Sequence, residues 1–128
     1  MHMLEMAPGW SLDLDRGPDW LMVRLHCDQK HAWDTPPLAE TLWALAQQHF
    51  VHRLVVEFDE VPMLHTALIG QLVMLHKRLS VNGGVLRLSG LSEQSRDVLS
   101  TARLDGRLPA FENRTEAVLG HAIVNKPR

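Results

Sequence analysis

The sequence predicts an α/β domain with helices packed on a mixed, mostly parallel sheet. Three observations predict it: an N-terminal hairpin pattern, a regular alternation of strand and helix patterns after it, and 45% hydrophobic against 22% charged residues. Such alternation requires right-handed crossovers and a largely parallel sheet covered by helices. We therefore expect the order β-β-α-β-α-β-α-β-α in a single domain over residues 1–128, with its core at about 11–123.

The hairpin is predicted from alternating apolar residues on both sides of a turn. Trp10, Leu12 and Leu14 alternate with polar residues up to the turn formers Arg16–Asp19. The mostly apolar run Trp20–Cys27 follows. Two such runs around one turn are typical of an antiparallel pair.

A helix and a buried strand are expected next. Asp34–Pro37 offers a capping side chain and prolines at a helix start. The strand is Arg53–Asp59, which is short, β-branched and apolar. Before it, three- and four-residue spacing predicts one apolar helical stripe through about Phe50, formed by Leu38, Leu42, Leu45, Ala46 and His49.

The remaining segments continue the alternation. A second helix follows Val61–Leu64 and ends at Val81–Gly84, where the glycines suit a left-handed cap. Asn113 and Glu116 resemble a capping pair for the last helix. The other expected elements are an apolar stripe of Leu68, Leu72, Leu75 and Leu79, a strand at Val85–Leu88, a helix at Ser92–Ala102, a short strand at Leu108–Phe111 and a final helix at about Thr115–Val124.

Composition disfavours several classes of function. The net charge is -2 and the basic residues are scattered, so a nucleic-acid-binding role is not expected. Cys27 is the only cysteine, which excludes an internal disulfide and fits a reducing compartment. No pattern of a signal peptide or of a membrane span of about 18 apolar residues occurs. We therefore expect a cytoplasmic protein.

From Leu54 onward the chain resembles the STAS domain, the module of sulphate transporters and anti-sigma factor antagonists. The resemblance lies in an ordered series of segments: LVVEFDEV (Leu54–Val61), PMLHTALIG (Pro62–Gly70), VNGGVLRLSGL (Val81–Leu91) and VLSTARLDGRLPAFENRTEAV (Val98–Val118). With the compatible N-terminal half, it covers roughly residues 11–123. It implies a STAS-type single domain that binds other proteins and is not an enzyme.

The resemblance also implies a regulatory site. In antagonists of this family, a Ser or Thr between the third strand and the second helix is phosphorylated by a partner kinase, and Thr66 matches that position. His65 replaces the family's acidic residue, Ala67 its second hydroxyl and Leu68 its glycine. The implied function is an anti-anti-sigma factor in a partner-switching system of transcription regulation. The implied partner is a serine/threonine kinase that is also an anti-sigma factor.

Two readings of the residues around Thr66 remain open. Its hydroxyl either caps the second helix or accepts a phosphoryl group, which would add about -1.5 to -2 charges beside the partner surface. An imidazolium at His65 would offset part of that charge. The apolar neighbours either anchor a partner or belong to the core. The candidate partner-binding set is Met63, Leu64, His65, Ala67, Leu68 and Ile69.

Other functions find less support in the sequence. A STAS scaffold that is no longer phosphorylated and a small-molecule-sensing STAS domain are the alternatives, and a homodimer stays open. Neighbours on one strand face opposite ways, so His26 and Cys27 do not suggest a catalytic dyad, and neither do His65 and Thr66. The pairs His49 with His52 and His26 with His31 lack a third metal ligand nearby, so we expect no metal and no cofactor.

Overall fold

The computed structural model describes residues 3–121, which form a mixed sheet of six strands with four α-helices. The strands lie in the order of the sequence, β1 to β6. The first three are antiparallel, and β3 to β6 are parallel. The bounds are β1 Met3–Ala7, β2 Trp10–Arg16, β3 Leu21–Cys27, α1 Leu38–His49, β4 Arg53–Glu60, α2 Thr66–Val81, β5 Val85–Ser89, α3 Glu93–Thr101, β6 Ala110–Phe111 and α4 Arg114–Leu119.

The predicted hairpin is confirmed as β2 and β3, which pair from Trp10 with Cys27 to Arg16 with Leu21. The prediction missed β1, which pairs with β2 at the edge of the sheet. Residues Met3–Glu5 are all exposed, so β1 has no alternation of apolar and polar residues that a pattern could reveal. The one indication of β1 in the sequence is the turn at Pro8 and Gly9 that joins it to β2, where Gly9 has a φ of +77°.

The large apolar core lies between one face of the sheet and the helices α1, α2 and α3. Because side chains alternate along a strand, Leu54, Val56 and Phe58 of β4 face this core together. The predicted stripe of α2 is confirmed, since Leu68, Leu72, Leu75 and Leu79 are all fully buried. The stripe of α1 is buried at its leucines and Ala46, but Phe50 is 90% exposed.

The opposite face of the sheet is covered differently. There, α4 packs through Ala117 on a small cluster with Trp20, Met22 and Val55. The rest of this face carries charged side chains of β2, β3 and β4. The two faces of the sheet therefore use different physical means of holding the fold together.

Two predicted helix ends differ from the structure. Helix α1 begins after Pro37 with no side-chain cap, and the amide of Ala39 donates instead to Gln71 Oε1 of α2 at 3.0 Å. Helix α4 is capped by Asn113, as expected, but ends at Leu119 because Gly120 adopts a left-handed conformation. The remainder of the predicted final helix, residues 122–124, lies outside the described residues.

Candidate functional site

The segment between β4 and α2 is held against the core at two points. The amide of Val61 donates to the carbonyl of Phe58 at 3.0 Å, which turns the chain after β4. The amide of Leu64 donates to Ser95 Oγ of α3 at 3.1 Å. Both Val61 and Leu64 are buried. The start of α2 is therefore positioned by packing and not by solvent-exposed contacts alone.

His65 caps α2. Its Nδ1 accepts a hydrogen bond from the amide of Leu68 at 3.4 Å, and its Nε2 lies 3.2 Å from the carbonyl oxygen of Asp34. A neutral ring with its proton on Nε2 satisfies both contacts. The capping role considered for Thr66 is thus wrong, because the residue before it supplies the cap.

Thr66 is the first residue of α2, and its side chain is exposed. Among residues 3–121 its hydroxyl makes no hydrogen bond, and the amides of Thr66 and Ala67 likewise find no protein acceptor. The N-terminal end of a helix carries partial positive charge and favours anions. The hydroxyl therefore faces solvent where an added negative group is tolerated.

The expected partner-binding residues divide into two groups. Leu64, Leu68 and Ile69 are only 1%, 0% and 8% exposed, so they are core side chains and cannot be exposed anchors of a patch. Leu68 in particular fills the core rather than enlarging a surface. Its place on the α2 stripe explains this, because residues 68, 72, 75 and 79 share one helical face. His65 and Met63 are half-buried and Ala67 is exposed.

Sequence reasoning missed Trp33 at this site. Its side chain is 69% exposed, and its ring lies 5.8 Å from that of His65 at an angle of 30°. The sequence offered one indication of this role, a tryptophan inside a polar loop next to the residues expected to cap α1. We call Trp33, Met63, His65, Thr66 and Ala67 the switch surface.

A network of ion pairs lies on the face of the sheet that α4 partly covers. The side chain of Glu57 is 2% exposed and lies between two guanidinium groups, 2.8 Å from Arg24 Nη2 and 2.6 Å from Arg114 Nη2. The hydrogen bond with Glu57 is the main cause that raises the pKa of Arg24. Arg114 also pairs with Asp15, which ties β2, β3 and β4 to α4.

His26 extends this network. Its Nδ1 lies 2.8 Å from Glu60 Oε1 and its Nε2 lies 2.8 Å from Asp13 Oδ2. Burial lowers the pKa of His26, but the hydrogen bonds and charges of Glu60 and Asp13 outweigh burial and raise the pKa above its usual value. His26 therefore joins β2, β3 and β4 through two carboxylates that favour its protonated form.

Neither pair of sequence neighbours considered for catalysis forms a dyad. His65 uses both ring nitrogens on backbone groups, and His26 uses both on carboxylates. Burial and then the charge of Asp28 raise the pKa of the Cys27 thiol, which disfavours the reactive thiolate. Within the described chain, no three His, Cys, Asp or Glu residues are grouped to hold a metal ion.

No helix between residues 3 and 121 has the length and apolar character needed to cross a membrane. Among curated protein sequences, none matches the chain. A family model described as the STAS domain matches residues 23–117.

Several solved structures share the fold. An anti-sigma factor antagonist from Mycobacterium paratuberculosis is 16% identical, with a TM-score of 0.70 over 91% of this chain and 97% of that one. An anti-sigma-factor antagonist (STAS) domain protein from Planctomyces limnophilus is 18% identical, with a TM-score of 0.67 over 85% and 96%. The Bacillus cell fate determinant SpoIIAA in its phosphorylated form is 15% identical, with a TM-score of 0.60 over 85% and 97%. By the family model and by its fold, the chain belongs to the STAS domain family.

Proposed function

We propose that this protein is the interaction module of a cytoplasmic partner-switching system that controls transcription, and that phosphorylation of Thr66 is its switch. The observation that carries the proposal is the exposed hydroxyl of Thr66 at the start of α2, which makes no hydrogen bond within residues 3–121. The unmodified protein binds a serine/threonine kinase that is also an anti-sigma factor. The module itself performs no chemistry.

The structure of the switch surface supports modification without unfolding. A phosphoryl group would add about -1.5 to -2 charges next to the free amides of Thr66 and Ala67. The loop before it stays fixed, because its contacts run through Val61, Leu64 and Ser95, away from the hydroxyl. The charge therefore changes the surface and leaves the core as it was.

The same charge explains how binding would be lost. Trp33 and Met63 offer apolar area beside Thr66, and an aromatic side chain of this exposure is a typical interface anchor. A partner that buries this area would also have to desolvate the phosphate. Phosphorylation therefore weakens the complex and frees the partner for its other target.

The proposal is tested by incubating the protein with its cognate kinase and ATP and measuring the intact mass. We expect the wild type to gain one phosphoryl group and Thr66→Ala to gain none. Thr115→Ala is the matched control, since Thr115 is also exposed in the first turn of a helix, and it should be modified as the wild type is. An unmodified wild type, under conditions that modify a known antagonist, would remove the switch.

A second candidate function is a STAS scaffold whose loop is no longer phosphorylated. His65 and Leu68 favour it: a capping imidazole stands where the family has an acidic residue, and a core leucine stands where it has glycine. Light scattering combined with pull-down separates the two functions. A strictly monomeric protein that captures only one kinase would exclude the scaffold.

A further inference from the structure

The exposed aromatic side chain of Phe50 lies near the C-terminal end of α2, at the opposite end of that helix from Thr66. Phe50 ends α1 with a φ of +56° and a ψ of +36°, a left-handed conformation that glycine or asparagine normally supplies. Its side chain is 90% exposed, so core packing does not compensate for this conformation. The 16 residues of α2 separate this end from Thr66 by about 24 Å.

Phe50 borders a recess with a basic lining. The recess has a volume of about 360 Å³, and Arg16 and Arg53 contribute its cations. Neither guanidinium pairs with a carboxylate in the described chain, whereas Arg24 of β3 and Arg114 of α4 both do. Asp19 is the one carboxylate among the residues lining the recess. Two exposed cations are thus left without a carboxylate partner beside an exposed aromatic ring.

An apolar slot continues this surface on the other side of the β2–β3 turn. Pro18 lines both the recess and the slot. The slot has a volume of about 260 Å³ and is lined by Trp20, Met22, Val118 and Leu119. Leu119 is 52% exposed, and the guanidinium of Arg53 lies 5.8 Å from the centre of the Trp20 ring.

We propose that this surface, defined as Arg16, Pro18, Phe50, Arg53 and Leu119 and called the basal surface, docks an acidic segment of a second partner protein. Carboxylates of that segment pair with Arg16 and Arg53, and a large apolar side chain of the segment enters the slot beside Trp20. Charge complementarity selects the acidic partner, and aromatic and arginine side chains are the usual anchors of such interfaces. The basal surface is separate from the switch surface, so this proposal does not depend on phosphorylation of Thr66.

Charge also distinguishes a protein segment from a nucleic acid. A phosphate backbone is held by many cations in a row, and each contact adds to the salt dependence of binding. The basal surface offers two unpaired arginines near Asp19, on a chain of net charge -2. Two cations and an apolar slot suit a short peptide segment with acidic and apolar side chains better than they suit a nucleic acid.

The probe is a synthetic peptide with one central leucine flanked by glutamates, titrated to millimolar concentration into the ¹⁵N-labelled protein. We expect amide shifts at residues 16, 17, 19, 20, 50–53, 82–83 and 118–119, and none at residues 65–68. Replacing the glutamates by glutamine, or the leucine by alanine, should abolish the shifts. No localised shift with the original peptide would overturn the proposal, as would equal shifts with an uncharged one.

Phe50→Gly is the decisive variant, because glycine adopts the left-handed conformation without strain. It should weaken binding of the peptide at least tenfold while the Tm stays the same or rises. If Phe50 had only a structural role, the Tm would fall instead. Arg53→Glu should weaken the peptide to a similar extent. Met74→Ala and Arg107→Glu are matched controls, since both residues are exposed and neither lines the recess or the slot, and they should bind as the wild type does.

The same experiments test two alternative ligands of the basal surface, a nucleic acid and a second copy of this chain. A single-stranded oligonucleotide that shifts the same amides more strongly than the peptide would overturn the proposal in favour of nucleic acid. A dimer that sedimentation detects without peptide, and that Phe50→Gly dissociates, would overturn it in favour of a second copy of this chain.

Discussion

The two faces of the sheet hold the domain by different forces. On one face, apolar side chains of α1, α2 and α3 pack on Leu54, Val56 and Phe58. On the other face, short α4 leaves room for ion pairs around Glu57 and His26. We therefore expect the contribution of the first face to stability to change little with pH, and that of the second face to respond to pH. The switch surface belongs to the apolar side, where Val61 and Leu64 of the loop before it are buried.

The largest effect is expected on the apolar face, for Leu68→Ala. Leu68 is fully buried, and truncating such a leucine removes apolar burial and leaves a cavity. We expect the free energy of unfolding to fall by about 2–5 kcal/mol, measured by urea denaturation. Met74→Ala is the matched control on the same helix, since Met74 is 58% exposed, and it should change stability by less than about 0.5 kcal/mol. Equal losses in both variants would contradict the assignment of Leu68 to the core.

The next effect is expected on the charged face, for Glu57→Gln. The change removes the buried anion between Arg24 and Arg114, and both guanidinium groups are exposed enough to regain water. We expect a loss of about 1–3 kcal/mol, less than for a fully enclosed charge. Glu112→Gln should be nearly neutral, because Glu112 is mostly exposed and meets Arg96 only at 3.6 Å. A neutral Glu57→Gln would show that the network does not stabilise the fold.

The charged face should also give the domain a pH dependence through His26. The pKa of His26 is raised in the folded state, so its stabilisation is complete below the unfolded value of about 6.5 and is lost as pH rises through the folded value. We expect the free energy of unfolding of the wild type to fall over that range, measured by urea denaturation at a series of pH values. His26→Gln should flatten this part of the profile, whereas Leu68→Ala should shift the whole profile down without changing its slope. A wild-type profile that rises with pH would reverse the sign that the contacts require.

The smallest effect on stability is expected for Thr66→Ala. The hydroxyl makes no hydrogen bond within the described residues, and alanine suits the first turn of a helix. The free energy of unfolding should change by less than about 0.5 kcal/mol. A loss above about 1 kcal/mol would mean that Thr66 is part of the scaffold after all.

Regular periodicity made much of the fold predictable from sequence. The hairpin and the α2 stripe follow from spacing alone, and both faces of β4 are buried as its continuous apolar run predicts. β1 was not predictable, because Met3–Glu5 show no burial pattern. The end of α4 depends on Gly120, which ends the helix before the predicted position.

The site was less predictable, because its contacts join residues far apart in the chain. Spacing could not show that the ring of Trp33 lies near that of His65 or that a histidine would cap α2, a role that Ser, Thr, Asp and Asn fill more often. Which residues of 66–69 are buried depends on the face that α2 turns towards the sheet. The apolar stripe of α2 already placed Leu68 on that face.

The affinity of the proposed anti-sigma kinase partner for the two forms of the protein decides whether Thr66 is the switch. Titrations would compare unmodified protein with protein phosphorylated at Thr66, with Thr66→Ala as the form that cannot be modified. Phosphorylation should raise the Kd at least tenfold, a change of about 1.4 kcal/mol, and Thr66→Ala should bind as the unmodified protein does. Equal affinity of the phosphorylated and unmodified forms would contradict the role of Thr66 as the switch.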